Sequence, residues 1–302
     1  MDQEYLLQYT RENNFPEEAV KAFCHCLENI RRDSDLGTVL CQTVGAYEAG
    51  QVQTREDMQE LAARVGAAAE QSSEKPETVY LLFFILCTKH LRKLYIQYEK
   101  PLRYFDGIAA DMLSKLTECY QVRGIWGTFV ANWYPAFFVL ERFVIGRLQY
   151  DIRQLPDCIT PDGKYCFRRQ TAVNVHIPSG KPLEISEVRK SMEEAAGFYA
   201  YLFPQSEQVL FMCHSWLLFP GHYQMLPENS GIRQFMKEFT IIQVDISPEG
   251  TDLWRIFDTD DHSDPDKLPR HTSLQKSYAS WLKAGNPVGM GLGFRYLPKN
   301  NK

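Results

Sequence analysis

The residues best suited to chemistry lie in two stretches, 171–182 and 208–218. The first alternates apolar and polar side chains up to His176, then turns through Ile177-Pro178-Ser179-Gly180-Lys181-Pro182. Such alternation predicts a half-buried strand. Imidazoles ordinarily titrate near neutrality, so His176 at the strand end is a candidate general base. Gly180 permits a tight or left-handed turn, and exposed amides with Lys181 ahead of a helix would suit an anion. The second stretch carries Cys213, His214, Ser215 and Trp216. Neighbours on a strand point to opposite faces, so Cys213 and Ser215 share one face and His214 takes the other. Cys213 and His214 therefore cannot serve each other as nucleophile and base. The spacing leaves open a pairing of Cys213 or Ser215 with His176 on a neighbouring strand.

Other clusters support less. Asp258-Thr259-Asp260-Asp261-His262-Ser263-Asp264 lacks the central glycine and terminal glutamate of a calcium loop. Cys24-His25-Cys26 falls within one helical turn, which cannot aim three adjacent ligands at one ion. Cys158 and Cys166 flank a Pro-Asp-Gly turn and with His176 would offer three ligands, at a spacing unusual for zinc. Gly289-Met290-Gly291-Leu292-Gly293 reads as a strand that needs close backbone approach, because no helix follows it. The eight cysteines contain no C-x-x-C pair and read as reduced thiols, structural apart from Cys213. No metal is expected.

These side chains have to be placed by a chain of two textures. Residues 1–141 read as helical. Pro16 with Glu17 and Glu18 opens a helix, since proline suits the first turn and acids suit the positive helix end. Val20, Phe23, Leu27 and Ile30 follow at helical spacing. Thr54-Arg55-Glu56-Asp57 reads as a cap ahead of Met58, Leu61 and Val65. Residues 77–98 are at first apolar nearly all round, as in a central buried helix. Another helix is expected over 104–121, ending near Gly124. The apolar runs 79–87 and 129–140 are shorter than the ~20 residues of a membrane span and are expected as core helices. No catalytic cluster stands out in this half.

From Arg142 the period shortens. Strands are expected at 143–150, 164–169, 171–177, 208–218, 239–246, 253–257 and 289–296. Helices are expected at 185–203, 230–238 and 272–284, with an acidic loop at 258–269. Strands interleaved with single helices predict a mixed α/β layer. The fold class is α+β, an all-helical N-terminal domain (1–141) followed by a mixed α/β C-terminal domain (142–302). At 302 residues, 44% apolar and 24% charged, the chain has length enough for two cores. A net charge of −5 gives no basic field for nucleic acid or anionic lipid. Met1-Asp2-Gln3-Glu4 lacks the layout of a secretion signal. A cytoplasmic protein is therefore expected, with neither nucleic acid nor membrane as partner.

Several phrases now stand in order: Arg142-Phe143 with Gly146-Arg147-Leu148-Gln149-Tyr150, His176-Ile177-Pro178-Ser179-Gly180, and Cys213-His214-Ser215-Trp216-Leu217-Leu218. Leu226-Pro227 with Ser230-Gly231-Ile232, Leu268-Pro269, Thr272-Ser273-Leu274-Gln275 and the closing Gly-Met-Gly-Leu-Gly follow. In this order the chain resembles a bacterial family of acyltransferase-domain proteins, with a helical N-terminal domain and a GNAT-like C-terminal domain. The resemblance covers nearly the whole chain and is strongest from Arg142 onward. It implies an acyl-coenzyme A co-substrate, acetyl-CoA or a longer thioester, and an amine or hydroxyl acceptor. In that fold the splayed fourth strand, the turn after it and the next helix start hold the pantetheine and pyrophosphate. The resemblance gives 171–177 the fourth-strand place, with Val175 and Ile177 along the pantetheine and Ser179, Gly180 and Lys181 at the pyrophosphate. It makes 208–218 the fifth strand, His176 the base, and Ser215 or Cys213 the group that orients or protonates the sulfur. The turn departs from the usual Gln/Arg-x-x-Gly-x-Gly/Ala loop, having one glycine and two prolines, and each proline removes an amide. Two other functions stay open on these residues. One is a non-catalytic protein binding a metabolite or partner on a GNAT-like scaffold. The other is a cysteine-dependent hydrolase, which needs Cys213 exposed beside His176.

Overall fold

The computed structural model describes residues 2–159, 163–247, 250 and 252–299. Pro161 and Asp162 of the expected Pro-Asp-Gly turn lie outside them. The chain divides into two compact units, Met1–Phe143 and Val144–Lys302.

Six helices make up most of the first unit: α1 (Gln3–Glu12), α2 (Glu17–Arg32), α3 (Ser34–Glu48), α4 (Arg55–Glu70), α5 (Pro76–Gln97) and α6 (Leu102–Arg123). Residues 81–88 of α5 are all buried, and α1, α2, α3, α4 and α6 all pack on this helix. An apolar surface on every side leaves this stretch of α5 no solvent face, so it becomes the axis of the unit. The ends are set by short polar signals. Thr54 accepts from the Asp57 amide while the Asp57 carboxylate accepts from the Thr54 amide, a complete capping box at the start of α4. Asp33 caps α3 through the amides of Asp35 and Leu36. Gly124, at φ +68°, ends α6 in the left-handed region. The run 129–140 differs from the expected single helix. It holds a 3-10 turn at Ala131–Trp133 and then α7 (Pro135–Phe138). Pro135 has no N–H to bond backwards, so it can begin a helix but not continue one. No helix among the described residues is long and apolar enough to cross a membrane.

The sheet region runs β1 (Phe143–Ile145), β2 (Leu148–Leu155), β3 (Cys158–Ile159), β4 (Cys166–Phe167), β5 (Gln170–His176), α8 (Ile185–Phe198) and β6 (Gln208–Ser215). It continues with α9 (His222–Met225), α10 (Gly231–Met236), β7 (Thr240–Ile246), α11 (Trp254–Phe257), α12 (Ser273–Lys283) and β8 (Gly289–Pro298). The main sheet is ordered β1-β2-β5-β6-β8-β7, while β3 and β4 form a separate ribbon. Strands β5 and β6 run parallel, while β2 with β5, β6 with β8 and β7 with β8 are antiparallel.

Three expectations are revised. The strand at 164–169 shrinks to Cys166–Phe167 and leaves the main sheet. The strand at 253–257 is helix α11 instead. Leu253, Ile256 and Phe257 sit at helical spacing and pack with Leu268, Tyr278 and Val288. Strand β6 stops at Ser215, whose Oγ accepts from the Leu217 amide and caps a 3-10 turn over Trp216–Leu218. Strand β8, an expected strand, lies between β6 and β7. Its glycines allow that position. A Cβ on Gly291 would lie 2.3 Å from the Leu218 carbonyl oxygen, and one on Gly289 2.3 Å from that of Asp245.

Candidate active site

The parallel pair defines the site. The register between β5 and β6 covers Val173↔Phe211 and Asn174↔Met212, yet β5 continues to His176 and β6 to Ser215. The strands thus separate over their last residues. A turn over residues 177–184 joins β5 to α8, with Ser179, Gly180 and Lys181 exposed and Gly180 at φ +84°. That φ is one an L side chain rarely adopts, and it explains the glycine. The N-cap residue of α8, Glu184, makes no side-chain cap bond, so no side chain covers the first amides of that helix from the capping position.

Arg147 shapes the turn. Its Nε donates to the Pro182 carbonyl at 3.1 Å, and its two terminal nitrogens donate to Pro178 O and Lys181 O at 2.8 Å each. Three carbonyls are thereby drawn to one guanidinium, which holds a loop poor in amides in one shape. Burial lowers the pKa of Arg147, and the carbonyl oxygens answer its N–H groups. Arg147 is presented by the β1–β2 turn at Gly146 (φ +60°), where a Cβ would lie 3.2 Å from Ser191 Cβ. The Gly146-Arg147 motif thus has a structural purpose.

His176 stands at the end of β5 with a carboxylate behind it. Its Nε2 lies 3.1 Å from Asp151 Oδ1 on β2, and Asn174 Nδ2 lies 3.0 Å from both of those atoms. The antiparallel register Asp151↔Asn174 and Gln149↔His176 puts these side chains on one face. The Asp151 side chain is fully buried, with Arg153 3.4 Å from its second oxygen. One proton arrangement satisfies the group: Asn174 and the imidazole both donate to Oδ1. In that arrangement the carboxylate fixes the tautomer, with the proton on Nε2.

The proposed partners of His176 lie elsewhere. Because Asn174 pairs with Met212, alternation carries His176 and His214 to one face and Cys213 and Ser215 to the other. Neither Cys213 nor Ser215 can pair with His176, which corrects that expectation. Cys213 is fully buried on the face shared by Tyr150, Tyr199 and α8, and burial pushes its thiol far above the ordinary range. A thiol without access to solvent or to a base is no nucleophile. Ser215 Oγ is used as a cap. Val175 is buried on the Cys213 face opposite Tyr150, while its backbone borders the widening gap, and Ile177 is half-buried where the turn begins. Among the described residues no three His, Cys, Asp or Glu side chains converge as a metal site.

Sequence reasoning missed Asp151 and Arg147 as members of the site. Asp151 directly follows the Gly146–Tyr150 phrase, and an acid at an inward position of a strand is the signal that marks it. Arg147 carries no such signal, since its partners are backbone carbonyls.

A parallel, splayed strand pair followed by a turn and a helix defines a GNAT-like acyltransferase fold. Comparison with known families agrees. A GNAT-like C-terminal domain matches residues 143–295, and an N-acyltransferase N-terminal domain matches residues 4–140. The chain belongs to the family that joins these two domains. Its fold is shared by a solved acyltransferase variant in complex with octanoyl-CoA, at 20% identity and a TM-score of 0.74, covering 98% of this chain and 88% of the other. It is also shared by an acyltransferase in complex with decanoyl-CoA and teicoplanin, at 20% identity and a TM-score of 0.73, covering 96% and 86%. No curated protein sequence matches the chain.

Proposed function

We propose that this protein transfers an acyl group from acyl-coenzyme A to an amine or hydroxyl of a small-molecule acceptor. The observation that carries the reading is the β5/β6 splay, bordered by the Asp151–His176 pair and by the turn that Arg147 holds. The residues fit the co-substrate. The gap beyond Asn174 and Met212 offers β5 backbone to a pantetheine arm. Ser179, Gly180 and Lys181 offer amides and an ammonium to the pyrophosphate. The octanoyl and decanoyl thioesters held by the structural relatives make medium-chain donors the first to try.

His176 takes the proton from the acceptor as its nitrogen or oxygen attacks the thioester carbonyl. Asp151 stabilises the imidazolium that forms, and Asn174 keeps the carboxylate in place. The eight cysteines are all free thiols, which suits a reducing compartment, and we assign the protein to the cytoplasm.

Thermal-shift titration of the full chain with CoA, acetyl-CoA, octanoyl-CoA and decanoyl-CoA tests the reading. A ligand at a hundredfold its Kd that binds only the folded state adds about 2.7 kcal/mol. A clear shift, lost on Gly180→Val, is expected. A folded protein that no thioester stabilises would instead be a binding protein on this scaffold.

A further inference from the structure

The same register that separates His176 from Cys213 brings His176 into line with a second histidine. One alternation beyond the last paired positions, Asn174 and Met212, the two strands carry His176 and His214 on one face. Each has a ring nitrogen on a carboxylate. For His176 the partner is Asp151 at 3.1 Å; for His214 it is Asp245 Oδ2 on β7 at 2.9 Å. The two pairs differ in setting. The Asp151 side chain is fully buried and that of His176 is 19% exposed, whereas those of His214 and Asp245 are 39% and 44% exposed. Gln243 donates to Asp245 Oδ1 at 2.8 Å, and the hydrogen bonds from Gln243 and His214 hold that carboxyl below its ordinary range. Asp245 therefore stays ionised beside the ring. The other ring nitrogen of His214 bonds no described residue.

We infer that His214, held by Asp245, is the acid that returns a proton to the departing sulfur. The inference rests on the acyl-CoA reading above. In the transfer, the acceptor nitrogen or oxygen forms a bond to the carbonyl carbon and gives its proton to His176. The carbon–sulfur bond then breaks, and the sulfur leaves with the electron pair. His214, protonated at the outset, gives its proton to that sulfur, so CoA departs as the thiol. At the end His176 is protonated and His214 neutral, and exchange with water restores both. A lone histidine would have to carry the proton from one side of the tetrahedral carbon to the other. Two histidines on adjacent strands divide that work, and the more exposed one faces the product that must leave.

The test needs no acceptor. CoA itself is bound to the full chain, and its thiolate is followed by ultraviolet absorbance as pH is raised, in the unmodified protein and in H214Q, D245N and H176Q. In the unmodified protein an imidazolium beside the sulfur makes the bound thiol ionise at lower pH than free CoA. About a tenfold larger thiolate fraction below neutrality corresponds to one pKa unit. In H214Q the fraction falls to that of free CoA with CoA affinity unchanged, D245N lies between, and H176Q keeps the effect. Equal thiolate fractions in the unmodified protein and H214Q, both with CoA bound, would overturn the inference and leave the acyl-CoA reading standing. Loss of the effect in H176Q alone would also overturn it. Failure of CoA to bind the unmodified protein would remove the reading beneath it.

Discussion

The two faces of the six-stranded sheet, at the ends of β5 and β6, are built from neighbouring residues and behave as opposites. One face carries Asp151, Asn174 and His176, joined by hydrogen bonds between side chains, and His214, which bonds Asp245. The other carries Tyr150, Phe211 and Cys213. There the Tyr150 hydroxyl bonds Ser191 Oγ, the Tyr199 hydroxyl bonds the Tyr150 carbonyl, and Cys213 has no exposure. Residue type alone would favour Cys213 as the reactive group. Parity decides otherwise, because a shift of one residue moves a side chain from chemistry to packing.

That contrast is most easily broken by His176→Gln set against Cys213→Ala. We expect acyl transfer to fall by about 10²–10⁴-fold in the first, the usual share of a positioned base. The second is expected to keep its kcat while losing about 1 kcal/mol of stability with the buried sulfur. Steady-state rates and urea unfolding of both variants check this, and an inactive Cys213→Ala with native stability would reverse the assignment of faces.

His222 sharpens the contrast in another way, since it is a histidine given to packing. It is buried against Trp216, Phe219 and Tyr278, with its Nε2 2.5 Å from the Tyr278 hydroxyl, and burial pushes its pKa down to about 4. The unfolded chain, titrating near the ordinary value, binds the proton first as pH falls. The stability His222 protects is therefore whole above about pH 6.5 and is lost as pH falls towards 4. The loss is about 3 kcal/mol, and His222→Gln should flatten this part of the stability–pH curve measured by denaturant titration.

Smaller effects should separate ligand binding from folding. Arg147→Ala releases three carbonyls of the turn and is expected to raise the Kd for CoA about tenfold, or ~1.4 kcal/mol, by calorimetry. Thr54→Ala removes one half of the α4 capping box, costing about 1 kcal/mol of stability without altering the Kd. A Thr54→Ala protein that bound CoA more weakly would tie the helical unit to the ligand directly.

Much of this architecture could be read in the residues, and what could not has identifiable causes. The cap at Thr54, the all-round apolar character of α5 and the close approach along the glycines of β8 are local signals, and each appears as expected. Parity along 213–215 was equally plain. The site itself depended on pairing, which is non-local. Only the parallel register of β5 with β6 shows that His176 and His214 share a face, and only the antiparallel register of β2 shows Asp151 beside His176. Short apolar runs misled for a different reason. Four or five such residues fit a strand or a helical turn equally well, so 253–257 became α11, where Ile256 and Phe257 could reach Tyr278.

Hydrogen–deuterium exchange with and without decanoyl-CoA tests the central claim most directly. If the thioester lies in the splay, protection rises over residues 173–185 and 211–216 and is weakened there by Arg147→Ala, while the α2 amides exchange as before. Binding that protects a different region, with these segments unchanged, would contradict the placement of the acyl donor between β5 and β6.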